Sequence, residues 1–274
     1  MVRIAYNANG LRNLSLAAAI RAVAQAGYEG IELSLHPSHI DPFSFTPAQA
    51  AETRRVLADA GVAACCLATG ADTLLGPERF EPSLIHPDAA ERGRRVDMIR
   101  RGIDLAEELG VPVVNFASGI RRDGRAADEV WERLEEGVRI CLEHARDAVV
   151  LAIEPEPGFL VETNAQAARL VRRLGSAGLC INQDVGHANV VEDDYLDSIR
   201  RALPLTGHMH IEDIKGRHHH HEIPGDGDID FRAVFDILHD GGYDGFVSVE
   251  LYNHADVYPT ALRRSLVHLS ALAA

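Results

Sequence analysis

The chain has 274 residues, 46% of them hydrophobic, which is enough to bury one barrel-sized core or two ordinary ones. Its 41 acidic and 27 basic side chains leave a formal charge of -14, which disfavours nonspecific binding to DNA, RNA or anionic lipid, because those partners demand a basic surface. Cys65, Cys66, Cys141 and Cys180 form no metal-ligand pattern, so reduced, buried thiols and a cytoplasmic location are expected. The start, MVRIAYNANG, lacks a charged leader followed by an apolar segment, and no run approaches the length of a membrane-spanning helix.

Short apolar or β-branched runs then alternate with longer amphipathic ones. Val2 to Tyr6 reads as a strand, and Ser15 to Gly27 as a helix with Ser15 as N-cap and Gly27 as stop. Gly30 to Leu35 is the next strand, followed by a helix from Pro47 to Ala60 with Thr46 in the capping position. Val62 to Thr69 pairs with a long helix over Pro87 to Leu109, whose Val96, Ile99, Ile103, Leu105 and Leu109 follow a helical period. Val111 to Ala117 with Asp128 to Ala145, and Val149 to Glu154 with Asn164 to Leu174, make the fourth and fifth units. Ala177 to Asp184 with Tyr195 to Leu203 is the sixth. The seventh joins a strand over Leu205 to Ile211 to a helix over Phe231 to Leu238, and the eighth is Phe246 to Leu251 with Thr260 to Leu272.

Eight strand-helix units spaced by roughly 30 residues predict a parallel sheet closed on itself, a (β/α)8 TIM barrel, as one domain over 1–274. The rival is a doubly wound open sheet of two nucleotide-binding halves. No GxGxxG follows any strand, and no low-complexity linker divides the chain.

In such a barrel the site lies at the C-terminal ends of the strands. Side chains alternate along a strand, so Leu151 and Ile153 facing the helices aim Ala152 and Glu154 inward. The same reasoning puts Cys180, Asn182 and Asp184 inside on the sixth strand, Thr206, His208 and His210 on the seventh, and Ser248 and Glu250 on the eighth. Four consecutive strands thus end in Glu154, Asp184, His210 and Glu250. Three carboxylates and an imidazole facing one point would repel in a low dielectric unless a cation sat among them. Oxygen-dominated ligation with a single His favours Mn2+, with Mg2+ or Co2+ as alternatives, over structural zinc. His208, deeper in the barrel, reads as a hydrogen-bonded core residue. The run His218 to His221 reads as a solvated face or an outer-shell group rather than a stable metal site.

At these residues the sequence resembles the xylose isomerase-like superfamily of sugar isomerases and epimerases. The resemblance is carried by GYEGIEL at 27–33, IEPEPG at 153–158, QDVGHA at 183–188, GHMHIED at 207–213, PGDGDIDF at 224–231 and GGYDGFVSVEL at 241–251. It implies a metal held by Glu154, Asp184, His210 and Glu250, with Glu154 and Glu250 also serving as acid and base. It further implies that His187 contacts substrate hydroxyls and that Arg217 binds substrate, although Arg217 stands one residue later than the epimerase spacing. Glu156 is an addition to the usual pattern and is read here as substrate-binding. The resemblance implies a small sugar or polyol substrate, phosphorylated or not, and is compatible with a homo-oligomer.

Chelation of a ketone and its neighbouring hydroxyl would acidify the adjacent C–H, so one glutamate could remove a proton to give an enediolate and the other return one. Lys215, the only Lys in the chain, is a candidate to bind an oxyanionic group. It could also protonate a leaving hydroxyl, which would make the protein a lyase or dehydratase of a keto sugar or keto inositol. A non-catalytic sugar-binding barrel is the third reading. It would not need both Glu154 and Glu250.

Overall fold

The computed structural model describes residues 1–70, 73–146 and 148–273. Eight parallel strands close into a barrel in chain order, with β8 hydrogen-bonded to β1. They are β1 (Arg3–Asn7), β2 (Gly30–Ser34), β3 (Ala63–Ala68), β4 (Val113–Ala117), β5 (Val150–Glu154), β6 (Leu179–Asp184), β7 (Thr206–Ile211) and β8 (Phe246–Val249). Around them lie α1 (Leu16–Ala26), α2 (Pro47–Ala60), α3 (Ala89–Leu109), α4 (Ala127–Ala145), α5 (Asn164–Leu174), α6 (Val185–Val191), α7 (Tyr195–Ala202), α8 (Phe231–Asp240) and α9 (Tyr258–Ala273). The (β/α)8 expectation is met. The expected domain span of 1–274 also takes in positions 71, 72, 147 and 274, which lie outside the described residues.

Local chemistry sets the element ends. Ser15 Oγ accepts from the Ala18 N–H at the start of α1, and Gly27, at φ +97°, closes it in a left-handed conformation that a side chain would strain. Thr46 and Gln49 form a reciprocal capping box on α2, and Thr163 and Gln166 do the same on α5. One helix was not expected from the sequence. VGHANVV is too short to display a periodic face, and α6 forms because Asp184, the last residue of β6, also caps it through a 2.7 Å bond from the His187 N–H.

The barrel wall separates two apolar regions. Ile31, Leu33, Leu151, Ile153, Ile181, Met209, Ile211, Val247 and Val249 point outward and are buried against the helices. Each such side chain stabilises the fold by about 1.5–3 kcal/mol through area removed from water. Inside the barrel the apolar residues are small: Ala5, Cys65, Cys66, Val113 and Ala152. Beside them Glu32, His208 and Ser248 make a buried polar layer, with His208 Nε2 at 2.9 Å from Glu32 Oε2 and 3.1 Å from Ser248 Oγ. The mouth of the barrel sits above this layer.

The loop between β7 and α8 is organised by Asp213. Its buried carboxylate accepts the backbone N–H groups of Ile214 and Ile229 on Oδ1 and those of Gly225 and Gly227 on Oδ2. A Cβ at Gly227 would come within 2.4 Å of Asp213 Oδ1, so the PGDG turn needs glycine there to wrap the carboxylate closely. Asp213→Ala would leave these donors without their acceptor, and we expect a loss on the order of 3 kcal/mol in urea unfolding. An unchanged midpoint would contradict this role.

Candidate functional site

Glu154, Asp184 and His210 stand at the ends of β5, β6 and β7, and Glu250 stands one residue beyond β8, held by a bond from its N–H to the Ile211 carbonyl. In the parallel register Asp184 pairs with His210, and His210 with Ser248, two residues before Glu250. One ligand atom from each of the four lies within 4.8 Å of the others. The His210 Nδ1 atom is 2.9 Å from Glu154 Oε1, 3.4 Å from Glu250 Oε2 and 3.8 Å from Asp184 Oδ2.

Residues on the first half of the barrel, which the register reading did not reach, orient this group. Glu32 on β2 takes the other face of His210, with both carboxylate oxygens within 3.0 Å of Nε2. Burial would raise the Glu32 pKa, but the His210 and His208 rings hold it well below the ordinary carboxylate range. The Asn115 amide on β4 donates to Glu154 Oε2 at 2.9 Å. Asn9 donates to Glu250 Oε1 at 2.6 Å, with Asn7 beside it at 3.4 Å. Each glutamate is thus held by an amide on one oxygen and faces His210 with the other.

The charge balance of the site is strained. Asp184 Oδ2 and both carboxylate oxygens of Glu212 are buried without a fixed donor. Burial and the charge of Asp184 push the Glu212 pKa well above its usual range. Glu212 fits only because residue 186 is glycine; a Cβ there would overlap its carboxylate. Burial likewise raises Glu156, opposed by His187 and reinforced by Glu154, Glu250 and Asp184, to about 8. Burial would lower His187, but the carboxylates of Asp184, Glu156, Glu154 and Glu250 raise it to about 9. Asp184 Oδ2, His210 Nδ1 and the carboxylates of Glu154 and Glu250 converge within 4.8 Å of one another, a donor set that fits a divalent cation.

These residues open into a cavity of about 280 Å³ lined by Asn9, Ser34, Leu35, Asn115, Glu154, Glu156, His187, Glu250 and Tyr252 among others. Glu156 and His187 are therefore at the cavity, with His187 Nε2 3.8 Å from Glu156 Oε2. The structure does not bring Lys215 or Arg217 there. Lys215 is exposed, and the Arg217 guanidinium donates to the carbonyls of Val190 and Glu192 at the end of α6. The histidine run behaves as an extended segment: His218 and His220 face solvent, while His219 and His221 line the cavity. Among the described residues no helix is long and apolar enough to cross a membrane.

Comparison with known proteins agrees with this architecture. The chain is 26% identical over 245 residues to the D-psicose 3-epimerase of Agrobacterium fabrum, covering 84% of this chain and 77% of that one. It is 26% identical over 160 residues to the hydroxypyruvate isomerase of Escherichia coli, covering 56% of this chain and 60% of that one. A crystal structure of D-psicose 3-epimerase in the presence of D-fructose superposes with a TM-score of 0.82 over the full length of both chains at 19% identity, which attests the fold. A family model described as xylose isomerase-like TIM barrel matches residues 20–271. The chain belongs to the xylose isomerase-like TIM barrel family, whose members among its relatives are sugar isomerases and epimerases.

Proposed function

We propose that this protein is a divalent-metal-dependent sugar isomerase or epimerase in which Glu154 and Glu250 move a proton on the carbon beside a substrate carbonyl. The observation that carries this reading is the pair of glutamates from β5 and the end of β8, both directed at His210 Nδ1 across one cavity. The names of the two relatives support it. Isomerising a hydroxy-ketone and epimerising beside a ketone both move one proton on a carbon next to a carbonyl.

Glu154, Asp184, His210 and Glu250 would hold the cation, His210 through Nδ1 because Glu32 engages its Nε2. The three-oxygen, one-nitrogen donor set favours Mn2+, with Mg2+ or Co2+ as alternatives. When bound, such an ion polarises a carbonyl and acidifies the neighbouring C–H. The chain's own residues do the rest. Asn115 fixes the Glu154 carboxylate and Asn9 fixes that of Glu250, so neither has to reorient when a proton moves. Leu35, Ala68, Ala117 and Phe80 supply an apolar wall that limits water around the enediolate. His187 and Glu156 offer hydrogen bonds to substrate hydroxyls. One glutamate takes the proton and the other returns it, to the opposite face for epimerisation or to the adjacent carbon for isomerisation; the handedness of the substrate decides which acts first.

The dehydration reading loses the feature that favoured it, since Lys215 lies outside the cavity lining. A non-catalytic sugar-binding barrel gives no reason for two glutamates so placed. Incubated with Mn2+ and a panel of ketoses and hydroxypyruvate in D2O, the protein should incorporate deuterium beside the carbonyl without loss of water. Glu154→Gln and Glu250→Gln should each slow that exchange by about 100-fold or more. Full turnover in both variants would contradict the mechanism, and an unsaturated diketone product would replace it with elimination. Chelator treatment should abolish exchange and Mn2+ should restore it. Glu32→Gln, which weakens the pairing with His208 and on the far side of His210, should weaken Mn2+ binding by about 10–100-fold in calorimetry, and unaltered affinity would remove it from the site.

A further inference from the structure

The cavity wall built by β1 and β2 carries a polar group, the Ser34 hydroxyl, that the proposed proton transfer does not use. Ser34 is the last residue of β2, is buried, and lines the cavity. Strand side chains alternate, so it lies on the same inward face as Glu32 and one layer nearer the mouth. Its Oγ is 2.9 Å from Asn7 Oδ1, and among the described residues no donor reaches it.

The direction of that bond follows from the backbone. The Asn9 N–H lies 3.0 Å from the same Asn7 atom, and a backbone N–H only donates, so the atom there is the amide oxygen and not its nitrogen. Ser34 must then give its one hydrogen to Asn7. What its Oγ has left for the cavity is lone pairs. The amide hydrogens nearby are committed as well, Asn9 Nδ2 to Glu250 and Asn115 Nδ2 to Glu154, while Asn9 Oδ1 is buried without a partner. The β1–β2 wall is therefore an acceptor surface. In a closed barrel of eight strands β2 stands opposite β6, and His187 lies on α6 directly after β6. A ligand gripped by His187 and Glu156 on one side is met on the other by an oxygen that can only accept.

We propose that Ser34 Oγ accepts a hydrogen bond from a hydroxyl group of the substrate, and that this contact selects for a neutral, hydroxyl-bearing carbon at that position. A carboxylate or phosphate oxygen there would set acceptor against acceptor, and a methylene would leave the serine oxygen unsatisfied. Both are disfavoured. The inference rests on the proposed function only in taking a polyol chain as the occupant of the cavity. It adds a residue that reads the chain without moving its proton.

The test uses full-length protein saturated with Mn2+ and measures binding separately from turnover. The D-ketohexoses and their 1-, 3-, 4-, 5- and 6-deoxy analogues are titrated by calorimetry into the wild type and Ser34→Ala. The variant should bind the parent ketohexose about 10-fold more weakly, the worth of one hydrogen bond to a buried oxygen. Its Mn2+ affinity and thermal transition should be unchanged, because Asn7 keeps its bond from the Asn9 N–H. One deoxy analogue should bind the wild type about 10-fold more weakly than its parent and lose nothing further in Ser34→Ala, since both changes remove the same bond. The remaining analogues should show the variant's full loss. Equal affinity of wild type and variant for every ketohexose, or a loss in the variant that no deoxy analogue escapes, would overturn the proposal.

Deuterium exchange tells the two readings apart. Exchange in the wild type together with unaltered binding in Ser34→Ala refutes the hydroxyl contact and keeps the proton transfer. Position-specific binding without exchange keeps the contact and refutes the proton transfer. A wild type that binds no ketohexose refutes both.

Discussion

Six carboxylates, those of Glu32, Glu154, Glu156, Asp184, Glu212 and Glu250, are gathered at or just beneath one end of the barrel, and the rest of the site is arranged around their repulsion. Desolvation makes each of them costly as an anion, and their proximity makes them costlier together. The structure answers in different ways at different positions. Glu32 is paired with two imidazoles, Glu212 and Glu156 are pushed toward their neutral forms, and His187 and His210 are driven toward protonation. On the function proposed above, a divalent cation would supply the same positive charge more compactly.

The rigid part of the arrangement is the strand layer. Parallel register pairs Asp184 with His210, and amides from β4 and from the turn after β1 hold the two glutamates. Above it runs the segment from Asp213 to Ile229. Its path is pinned by the buried Asp213 carboxylate, which gathers the PGDG turn and sends the histidines past the cavity. His219 and His221 of this segment line the cavity together with Glu156.

Much of this was legible in the residues. Capping residues and glycine stops set the ends of α1, α2 and α5 to within a residue, because those signals are local. The inward register of the last four strands led to Glu154, Asp184, His210 and Glu250, which the fold brings together. The same alternation along β1, β2 and β4 turns Asn7, Glu32 and Asn115 inward, so these too are legible in the residues. Asn9 was not readable, since it lies on a short 3-10 turn after β1 where strand alternation has ended. Lys215 and Arg217 lie outside the cavity lining, because the direction of a loop side chain follows from tertiary bonds, such as those of Arg217 to the end of α6, that no local pattern encodes.

The central claim is that a divalent ion seated among the four strand ends relieves the charge crowding and defines the reactive centre. Anomalous diffraction at the manganese edge from crystals grown with Mn2+ tests it most directly. The account predicts a peak within bonding distance of Glu154, Asp184, His210 Nδ1 and Glu250, with Glu32 still bonded to His210 Nε2. A cavity that takes up no manganese at these residues would contradict it.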